Sequence, residues 1–427
     1  MKVSKRKVRY LVFEGGGGKG LIYLGAARAL GEIGILEYYK KQVETSEVFR
    51  LNPKKIRGTA GTSVGSLAAV LVACGYTPDE LHDILTKDFG IQILDKIEFG
   101  TIPTAYTKEN PRYVIKERDI PEEQELLDSF WKHYIKTEKF STRRMLKLPG
   151  KAINHFTRKF LASILHWYVD YRERQGEKSP EFSENSLFQI RTARTALEKV
   201  IHSNDSMSSL KYELGFFVSE FVRDFVDRHI EKKSGIKNCT FKQFYEEFKI
   251  DLVITGFNMT RNEVLYFRND KQWKDLCIAD AVRMSVSIPL IFKPVYLSYS
   301  NGTINPVVND LSNGDMIVDG GVGNNFPLHV FDVVKSRSSK LNNHTLGFRF
   351  KRTKNNSDED MTVAGYLENI GFALLGQTTE LQFRTDDEKD QVLELENEAI
   401  NTLNFLYSDN TQKCIDMAYE TTMRYFK

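Results

Sequence analysis

Residues 56–74, IRGTAGTSVGSLAAVLVAC, carry the signal that decides the fold of this chain. The pattern predicts a short strand, a turn at 61–65 and an apolar helix. Gly61 and Gly65 flank Ser63 as GxSxG, which is typical of a nucleophile elbow, a sharp turn that exposes a serine hydroxyl. Glycine tolerates the close backbone approach in such a turn, and the N-terminus of the following helix favours negative charge. The stretch therefore predicts a nucleophilic Ser63, with a tight turn around a buried serine as the plain alternative.

A second glycine turn, GGGGKG at residues 15–20, lies between a strand predicted over 8–13 and a helix predicted over 21–30. Successive glycines let backbone amides converge on an anion. One use of such amides is an oxyanion hole, which needs donors aimed at a developing alkoxide. The residues predicted to form it are Gly15, Gly16, Gly17 and Gly18.

The same loop also has the spacing of a dinucleotide-binding turn, because Gly15, Gly17 and Gly20 fit GxGxxG. That use expects an acidic residue at the end of a second strand about 20 residues further on. Glu32 and Glu37 instead lie within or just after the predicted helix. The serine turn favours the oxyanion interpretation, and a nucleotide-binding protein is the alternative function.

The order of predicted elements indicates one interrupted α/β domain. Two strand–turn–helix units precede residue 75, which is typical of a largely parallel sheet. Residues 101–235 are charged and helix-periodic, and strand patterns resume afterwards near 250–256, 263–267, 316–318 and 345–350. The predicted organisation is a catalytic domain over 8–350 with its core in 8–100 and 240–350, a helical, partly basic insertion over 101–235, and a helical C-terminal region over 355–427.

The overall composition identifies no class of partner, because 60 Lys and Arg residues nearly balance 57 Asp and Glu residues. The four cysteines stand far apart without a Cys/His cluster, so the sequence predicts no metal site and no cofactor. The apolar run after the basic N-terminus is too short for a secretory signal, and no apolar stretch reaches the length of a membrane span. We expect a cytoplasmic protein, either soluble or peripheral on membranes.

A serine nucleophile needs a general base, because a free hydroxyl is a poor nucleophile. Asp319, followed by Gly320 and Gly321, comes directly after a predicted strand, so its carboxylate is expected at a strand's C-terminal edge, where α/β active sites collect. None of the eight histidines carries a motif, although His329 follows Asp319 in the Ser…Asp…His order of α/β-hydrolases. A Ser63–Asp319 dyad and a triad with His329 are both open at this point. The run around His329 has a helix-like pattern.

Three motifs in order give the sequence a family resemblance: GGGxxG at 15–20, GxSxG at 61–65 and DGG at 319–321. Two further segments support them, a Ser-rich run with Ile-Pro at 281–294 and Asn-Phe-Pro at 325–327. The sequence resembles the patatin-like phospholipase family over about 8–100 and 240–350.

The resemblance implies a three-layer α/β/α fold with a mostly parallel central sheet and a phospholipase A-type hydrolase of fatty-acyl esters of membrane lipids. Ser63 would form an acyl-enzyme, Asp319 would act as general base without histidine, and the Gly15–Gly18 amides would hold the oxyanion. Glu14 and Lys19 depart from the residues that many members carry at these positions. Residues that support the motifs are Lys19, Gly20, Gly61, Gly65, Gly320 and Gly321.

The predicted insertion contains a strongly basic stretch over 132–159, followed by aromatic residues at helical spacing up to Tyr171. Such a combination predicts docking on an anionic membrane surface through residues 132–171, with a solvated loop and a packed helix as the alternative. No nucleic-acid module surrounds the stretch, so we expect no nucleic-acid partner. A protein that needs an unidentified protein activator, with hydrolysis secondary, is a further hypothesis.

Overall fold

The computed structural model describes most of the predicted catalytic core. It falls into a first compact unit over 1–98, 217–356 and 371–427, described below, and a second over 99–216 and 357–370. The predicted membrane segment 132–171 lies outside the described residues, and so does most of the predicted helical insertion over 101–235. The described residues are 3–4, 7–85, 215–217, 219–300, 303–307, 314–335, 338–340, 342–351, 386–397 and 409–427.

The first half of the described chain alternates strands and helices, and the second half is richer in strands. The strands are β1 (Tyr10–Phe13), β2 (Tyr38–Val43), β3 (Ser46–Leu51), β4 (Gly58–Thr62), β5 (Gly215–Phe217), β6 (Asp251–Asn258), β7 (Glu263–Phe267), β8 (Leu290–Phe292), β9 (Val295–Ser300), β10 (Thr303–Val307), β11 (Asp315–Asp319), β12 (Val333–Lys335), β13 (Ser338–Lys340), β14 (Thr345–Phe350) and β15 (Val392–Leu395). A 3₁₀ helix spans Gly17–Ile22. The α-helices are α1 (Tyr23–Glu32), α2 (Val64–Cys74), α3 (Pro78–Asp83), α4 (Glu220–Ser234), α5 (Phe241–Phe248), α6 (Ile278–Ser285), α7 (Gly321–Asn324), α8 (Asp386–Lys389) and α9 (Asp409–Tyr425).

The central sheet has the strand order β10-β9-β11-β6-β4-β1-β14-β15, with β7 paired to β6. The five strands from β6 to β15 run parallel to one another. Strands β7, β9, β10 and β11 are joined to them by antiparallel pairs. The α/β fold with a mostly parallel central sheet, expected from the sequence, is confirmed.

Side chains of β1 show why the sheet is buried on both sides. Leu11 and Phe13 belong to a large apolar cluster, whereas Val12 belongs to a second cluster that includes Phe326 and Phe331. Successive side chains of a strand point to opposite faces, so apolar layers cover both faces of the sheet at β1. A strand buried on both faces is a continuous apolar run, as in parallel sheets.

Local structure differs from the sequence prediction at several places. Within the insertion predicted to be helical over 101–235, residues 215–217 form the strand β5. Within the region predicted to be helical over 355–427, residues 392–395 form β15, which extends the sheet by pairing with β14. The run VLEL alternates buried and exposed positions, which is a strand period that the prediction missed. The run around His329, predicted to be helical, forms turns between α7 and β12. The division into domains at 101–235 and 355–427 stays a prediction.

Helix α9 packs closely against α1. A Cβ at Gly25 would collide with the Ile415 carbonyl oxygen, so only glycine permits this approach. The Arg28 guanidinium lies 4.1 Å from the ring centroid of Tyr419, whose hydroxyl donates a hydrogen bond of 2.5 Å to Glu32. Among the described helices, none has the length and apolar character required to cross a bilayer.

Candidate active site

Ser63 occupies a strained turn between β4 and α2. Its backbone has φ 53° and ψ −129°, a conformation that L-residues rarely adopt, and its side chain is buried with 6% exposure. A Cβ at Gly61 would collide with the Gly65 carbonyl group, and one at Gly65 would collide with the Phe13 carbonyl oxygen. The GxSxG turn therefore forms as the sequence predicts, because both flanking positions lack room for a side chain.

The backbone on both sides of Ser63 is fixed by other serines. Its amide donates a hydrogen bond of 2.9 Å to the Ser285 hydroxyl at the end of α6. Its carbonyl accepts from the Ser66 hydroxyl at 2.5 Å and from the Ser66 amide at 2.8 Å. The sequence showed Ser285 only as part of a family-like run and gave no sign of this contact.

The glycine loop lies against the serine turn. A Cβ at Gly15 would stand 3.1 Å from the Cβ of Ser63, and one at Gly20 would collide with Val64. Gly17 has φ 55°, which lets the chain turn into the 3₁₀ helix. Gly17 and Gly18 are the first residues of that helix, so their amides have no acceptor within it. The structure brings the two predicted glycine motifs together.

Asn324 and Asn325 tie the loop to β4. The Gly15 amide donates to the Asn325 carbonyl oxygen at 2.9 Å, and the Asn325 side-chain amide donates to the Gly15 carbonyl oxygen at 3.0 Å. The Thr62 hydroxyl donates to the Asn324 carbonyl oxygen at 2.9 Å. The Gly15 amide is thus already engaged, which leaves the amides of Gly16 to Gly18 as the donors of the loop to consider.

Asp319 is the last residue of β11. Because β11 is antiparallel to β6 and overlaps only its last three residues, Ile317 lies opposite Asn258 and Asp319 opposite Gly256. The carboxylate thereby reaches the C-terminal end of the parallel strands, although β11 itself runs the other way. A Cβ at Gly320 would collide with the Thr255 carbonyl group, so the glycine after Asp319 is required for the chain to pass over β6.

Asp319 is 2% exposed, and burial raises the pKa of its carboxyl group to about 7. Hydrogen bonding from the Ser63 hydroxyl and from the Gly321 amide lowers the pKa but offsets the burial only in part. The Gly321 amide donates to Oδ1 at 2.7 Å. The Ser63 hydroxyl is near enough to lower the pKa of Asp319, although the buried Oδ2 receives no hydrogen bond of ordinary geometry from the described residues. The structure therefore brings Ser63, Asp319 and the glycine loop to one point.

His329 has acidic partners other than Asp319. Its Nδ1 lies 3.1 Å from Oδ2 of Asp332, and its Nε2 lies 3.7 Å from Oε2 of Glu388. Both ring nitrogens therefore face carboxylates that the predicted mechanism does not use. This arrangement removes the geometric support for a triad with His329.

Glu14, at the edge of the glycine loop, ties the loop to β14 and α1. The Glu14 carboxylate accepts a hydrogen bond of 2.7 Å from the Phe350 amide, and the Glu14 carbonyl accepts one of 2.6 Å from the Tyr23 hydroxyl. Burial lowers the pKa of Lys19, while the charge of Glu14 acts in the opposite direction.

The dinucleotide interpretation of the glycine loop fits the structure less well than the oxyanion interpretation. A dinucleotide site needs a second parallel strand beside β1, whereas β2 pairs with β3 in a separate sheet.

An apolar cavity of about 40 Å³ adjoins the glycine loop. It lies between the 3₁₀ helix, α1, α2 and α3, and almost all its surface is hydrocarbon. A cavity of this kind favours a hydrocarbon group over a polar one. Its lining residues are Leu11, Phe13, Gly17, Gly18, Gly20, Leu21, Tyr23, Leu24, Ala27, Leu30, Leu36, Val64, Leu67, Ala68, Leu71, Val72, Leu81 and Leu85.

Two viral proteins are similar to parts of this chain. An uncharacterized protein of Acanthamoeba polyphaga mimivirus is 29% identical over 153 residues, which is 36% of this chain and 42% of that protein. A probable lipid hydrolase of Invertebrate iridescent virus 6 is 28% identical over 118 residues, which is 28% of this chain and 35% of that protein. The chain thus spans less than half the length of these curated relatives.

Solved bacterial structures are similar to this chain at low sequence identity. VipD from Legionella pneumophila matches with a TM-score of 0.38 and 16% identity, over 98% of this chain and 67% of that one. ExoU, solved with SpcU from the type III secretion system of Pseudomonas aeruginosa, matches with a TM-score of 0.36 and 17% identity, over 99% of this chain and 52% of that one.

The family described as patatin-like phospholipase matches residues 11–332, which covers most of the chain. The match contains the serine turn and the Asp-Gly-Gly motif, together with the strands β4 and β11 that lead into them. The chain belongs to the patatin-like phospholipase family.

Proposed function

We propose that the chain is a lipid acyl hydrolase of the phospholipase A type, with Ser63 as nucleophile and Asp319 as general base. The observation that carries the proposal is the buried Asp319 carboxyl group, whose pKa responds to the Ser63 hydroxyl and is raised by burial to about 7. A base works best when its pKa lies near the operating pH, since it is then both deprotonated and basic. An exposed aspartate, with a pKa of about 4, would be a much weaker base.

The first half of the proposed reaction forms an acyl-enzyme. The Asp319 carboxylate accepts the proton of the Ser63 hydroxyl while the serine oxygen bonds to the ester carbonyl carbon, and the carbonyl electron pair moves onto its oxygen. When the carbonyl re-forms, the bond between that carbon and the alcohol oxygen breaks, and the alcohol leaves with the proton from Asp319. In the second half, water attacks the acyl-enzyme with Asp319 again as the base. The fatty acid is released, and the Ser63 hydroxyl is regenerated.

The negative oxygen of the tetrahedral intermediate requires donors fixed in advance. The amides of Gly16, Gly17 and Gly18 are our candidates, because the Gly15 amide already donates to Asn325. The N-terminus of α2 adds a positive dipole end next to Ser63. The sequence predicted donors from Gly15 to Gly18, and the hydrogen bond to Asn325 favours only the last three.

The lipid nature of the substrate is supported by the apolar cavity beside the same loop. Acyl chains gain free energy on leaving water, about 0.8 kcal/mol for each buried CH₂ group. The cavity adjoins Gly17 and Gly18, so a chain attached to the carbonyl carbon could extend from the oxyanion donors into it. The family and the probable lipid hydrolase among its relatives agree with this substrate class.

The proposal is tested with a fluorophosphonate probe and with phospholipid vesicles. The parent chain should be labelled at Ser63 and should release free fatty acid and lysophospholipid, detected by mass spectrometry. Ser63→Ala should lose both activities, because no other group can form the acyl-enzyme. Ser234→Ala, which removes a serine hydroxyl on α4 that bonds to the Ile230 carbonyl, is the matched control and should retain both. Labelling of another serine, or fatty-acid release by Ser63→Ala, would contradict the proposal.

A further inference from the structure

Ser285 is a buried polar residue that the proposed reaction does not use. It ends α6, and its side chain has no exposed surface. Its hydroxyl accepts the hydrogen bond of 2.9 Å from the Ser63 amide. This contact joins residues that are 222 positions apart in the chain, so it holds two separate elements together.

The Ser63 amide needs such a partner because of the turn it belongs to. At φ 53° and ψ −129°, the peptide before Ser63 leaves the β4 ladder before α2 begins. Its N–H therefore has neither a strand nor a helix acceptor, and a buried N–H group without an acceptor is destabilising. The hydroxyl of Ser285 supplies the acceptor and thereby stabilises this conformation of the nucleophile.

The same segment also contacts the residue proposed as the base. The Asp319 amide donates a hydrogen bond of 2.9 Å to the Ser287 carbonyl oxygen. Ser63 follows β4 and Asp319 ends β11, and these strands lie on opposite sides of β6. Residues 285–287 thus bind the backbone of both Ser63 and Asp319. The strands β4 and β11 do not pair with each other, so the sheet provides no such direct link.

We infer that Ser285 is a positioning residue for the reaction, an inference that rests on the proposed roles of Ser63 and Asp319. It does not touch the reacting atoms. Through the Ser63 amide it holds the serine backbone in the orientation that directs the hydroxyl toward the Asp319 carboxylate. Loss of the Ser285 hydroxyl should therefore slow attack by Ser63 more than it weakens substrate binding.

A neighbouring serine provides the matched control. Ser219 is also buried, with 1% exposure, and its hydroxyl lies 3.2 Å from the Ser287 hydroxyl, not from Ser63 or Asp319. Ser219→Ala therefore removes a buried serine hydroxyl from the same neighbourhood and leaves the backbone contacts of the site in place. A purely structural role of Ser285 would make the two alanine variants behave alike.

The experiment measures the rate of fluorophosphonate labelling at Ser63 together with kcat and KM for a soluble ester, and the melting temperature of each variant. In Ser285→Ala, labelling and kcat should fall about tenfold, a loss of roughly 1.4 kcal/mol of transition-state stabilisation, with KM nearly unchanged. Ser219→Ala should stay within about twofold of the parent chain in both rates. Ser285→Cys, which keeps the shape of the side chain but carries a larger and weaker acceptor atom, should be intermediate.

Equal losses in Ser285→Ala and Ser219→Ala, or a Ser285→Ala rate equal to that of the parent, would overturn the inference. If Ser285→Ala does not fold, Ser285→Cys decides, since unchanged kcat in a folded Cys variant contradicts a need for the hydroxyl acceptor. Failure of the proposed function has a different signature, because the parent chain would then be labelled at a residue other than Ser63.

Discussion

Asp319 lies opposite Gly256 in the antiparallel pair of β11 and β6. On the other side of β6, Thr62 pairs with Thr255, one residue before Gly256. Ser63, the next residue after Thr62, is therefore at the level of Asp319, with a single strand between them. Two different strand pairings thus fix the relation between the proposed nucleophile and the proposed base before any side chain interacts.

Replacement of Asp319 by Asn should remove the base without changing its size. The fall in kcat/KM on a soluble ester should be at least about a hundredfold, the usual contribution of general base catalysis. The amide oxygen can still accept from Gly321, so the fold should persist, and circular dichroism checks this. His329→Ala is the control and should cost only local stability, since its partners are Asp332 and Glu388. A collapse of kcat/KM in His329→Ala together with a mild effect of Asp319→Asn would contradict the dyad.

The dependence of rate on pH should report the raised pKa of Asp319. Only the deprotonated carboxylate accepts a proton, so kcat/KM should rise with pH and level off above about 7, where the pKa lies. The measurement is kcat/KM on one soluble ester from acidic to mildly alkaline pH. A plateau that already begins near the ordinary pKa of aspartate, about 4, would show that burial does not tune this base.

The free energy of unfolding should fall as pH rises, whereas kcat/KM should increase. Because the folded-state pKa of Asp319 is raised from 3.8 to about 7, its contribution to stability is fully present below the unfolded-state pKa and is lost as pH rises through about 7. Asp319→Asn lacks this loss. In urea unfolding, the variant should therefore gain free energy of unfolding relative to the parent chain as pH increases across that interval. A constant difference between the two proteins would contradict the prediction.

Substitution in the elbow should be far more damaging than substitution of another glycine. Gly65→Ala would place a methyl group against the Phe13 carbonyl oxygen, so the backbone must shift, with a cost of about 1–3 kcal/mol. Displacement of Ser63 by about 1 Å is enough to lower kcat about a hundredfold. Gly31→Ala meets only the Pro78 side chain, at 3.4 Å, and should stabilise α1 by about 0.5–1 kcal/mol without loss of activity. Thermal unfolding and kcat measure both effects, and similar behaviour of the two variants would contradict the account of the elbow.

The apolar cavity should influence which acyl chain is accepted. Ala68 lies on α2 and lines the cavity, and its half-buried position leaves room for a larger side chain. Ala68→Leu should lower kcat/KM for long-chain esters about tenfold and leave short-chain esters little changed, because it fills space proposed for the distal part of the chain. A series of p-nitrophenyl esters of increasing length provides the comparison. An equal effect on all chain lengths would indicate that acyl chains bind elsewhere.

Ser63 and Asp319 could be singled out from the sequence because each belongs to a local motif. The GxSxG turn and the Asp-Gly-Gly turn need glycine within two residues of the functional side chain, for reasons of close backbone approach that hold in any fold. The expectation that the two turns lie in one site came from the family resemblance, because no local sequence pattern reveals which strands are neighbours.

The residues that hold the site together could not be predicted, because their contacts join distant parts of the chain. Asn325 contacts Gly15 across 310 positions, and Ser285 contacts Ser63 across 222. Asp319 was expected at the C-terminal edge of the sheet because it ends a strand. It lies there for a different reason, namely the short antiparallel overlap of β11 with β6. Strand direction and register depend on tertiary pairing, which a single sequence does not reveal.

The position of β1 between β4 and β14 has a consequence for biosynthesis. The strand that leads into the glycine loop acquires its second neighbour only after residue 350 has been translated, and α1 acquires its packing partner only with α9. We expect ribosome-bound chains of increasing length to react with a fluorophosphonate probe only after these segments have emerged, and labelling of much shorter chains would contradict this. On the proposed function, a nascent polypeptide would then be unable to cleave an ester until β14 and α9 have left the ribosome.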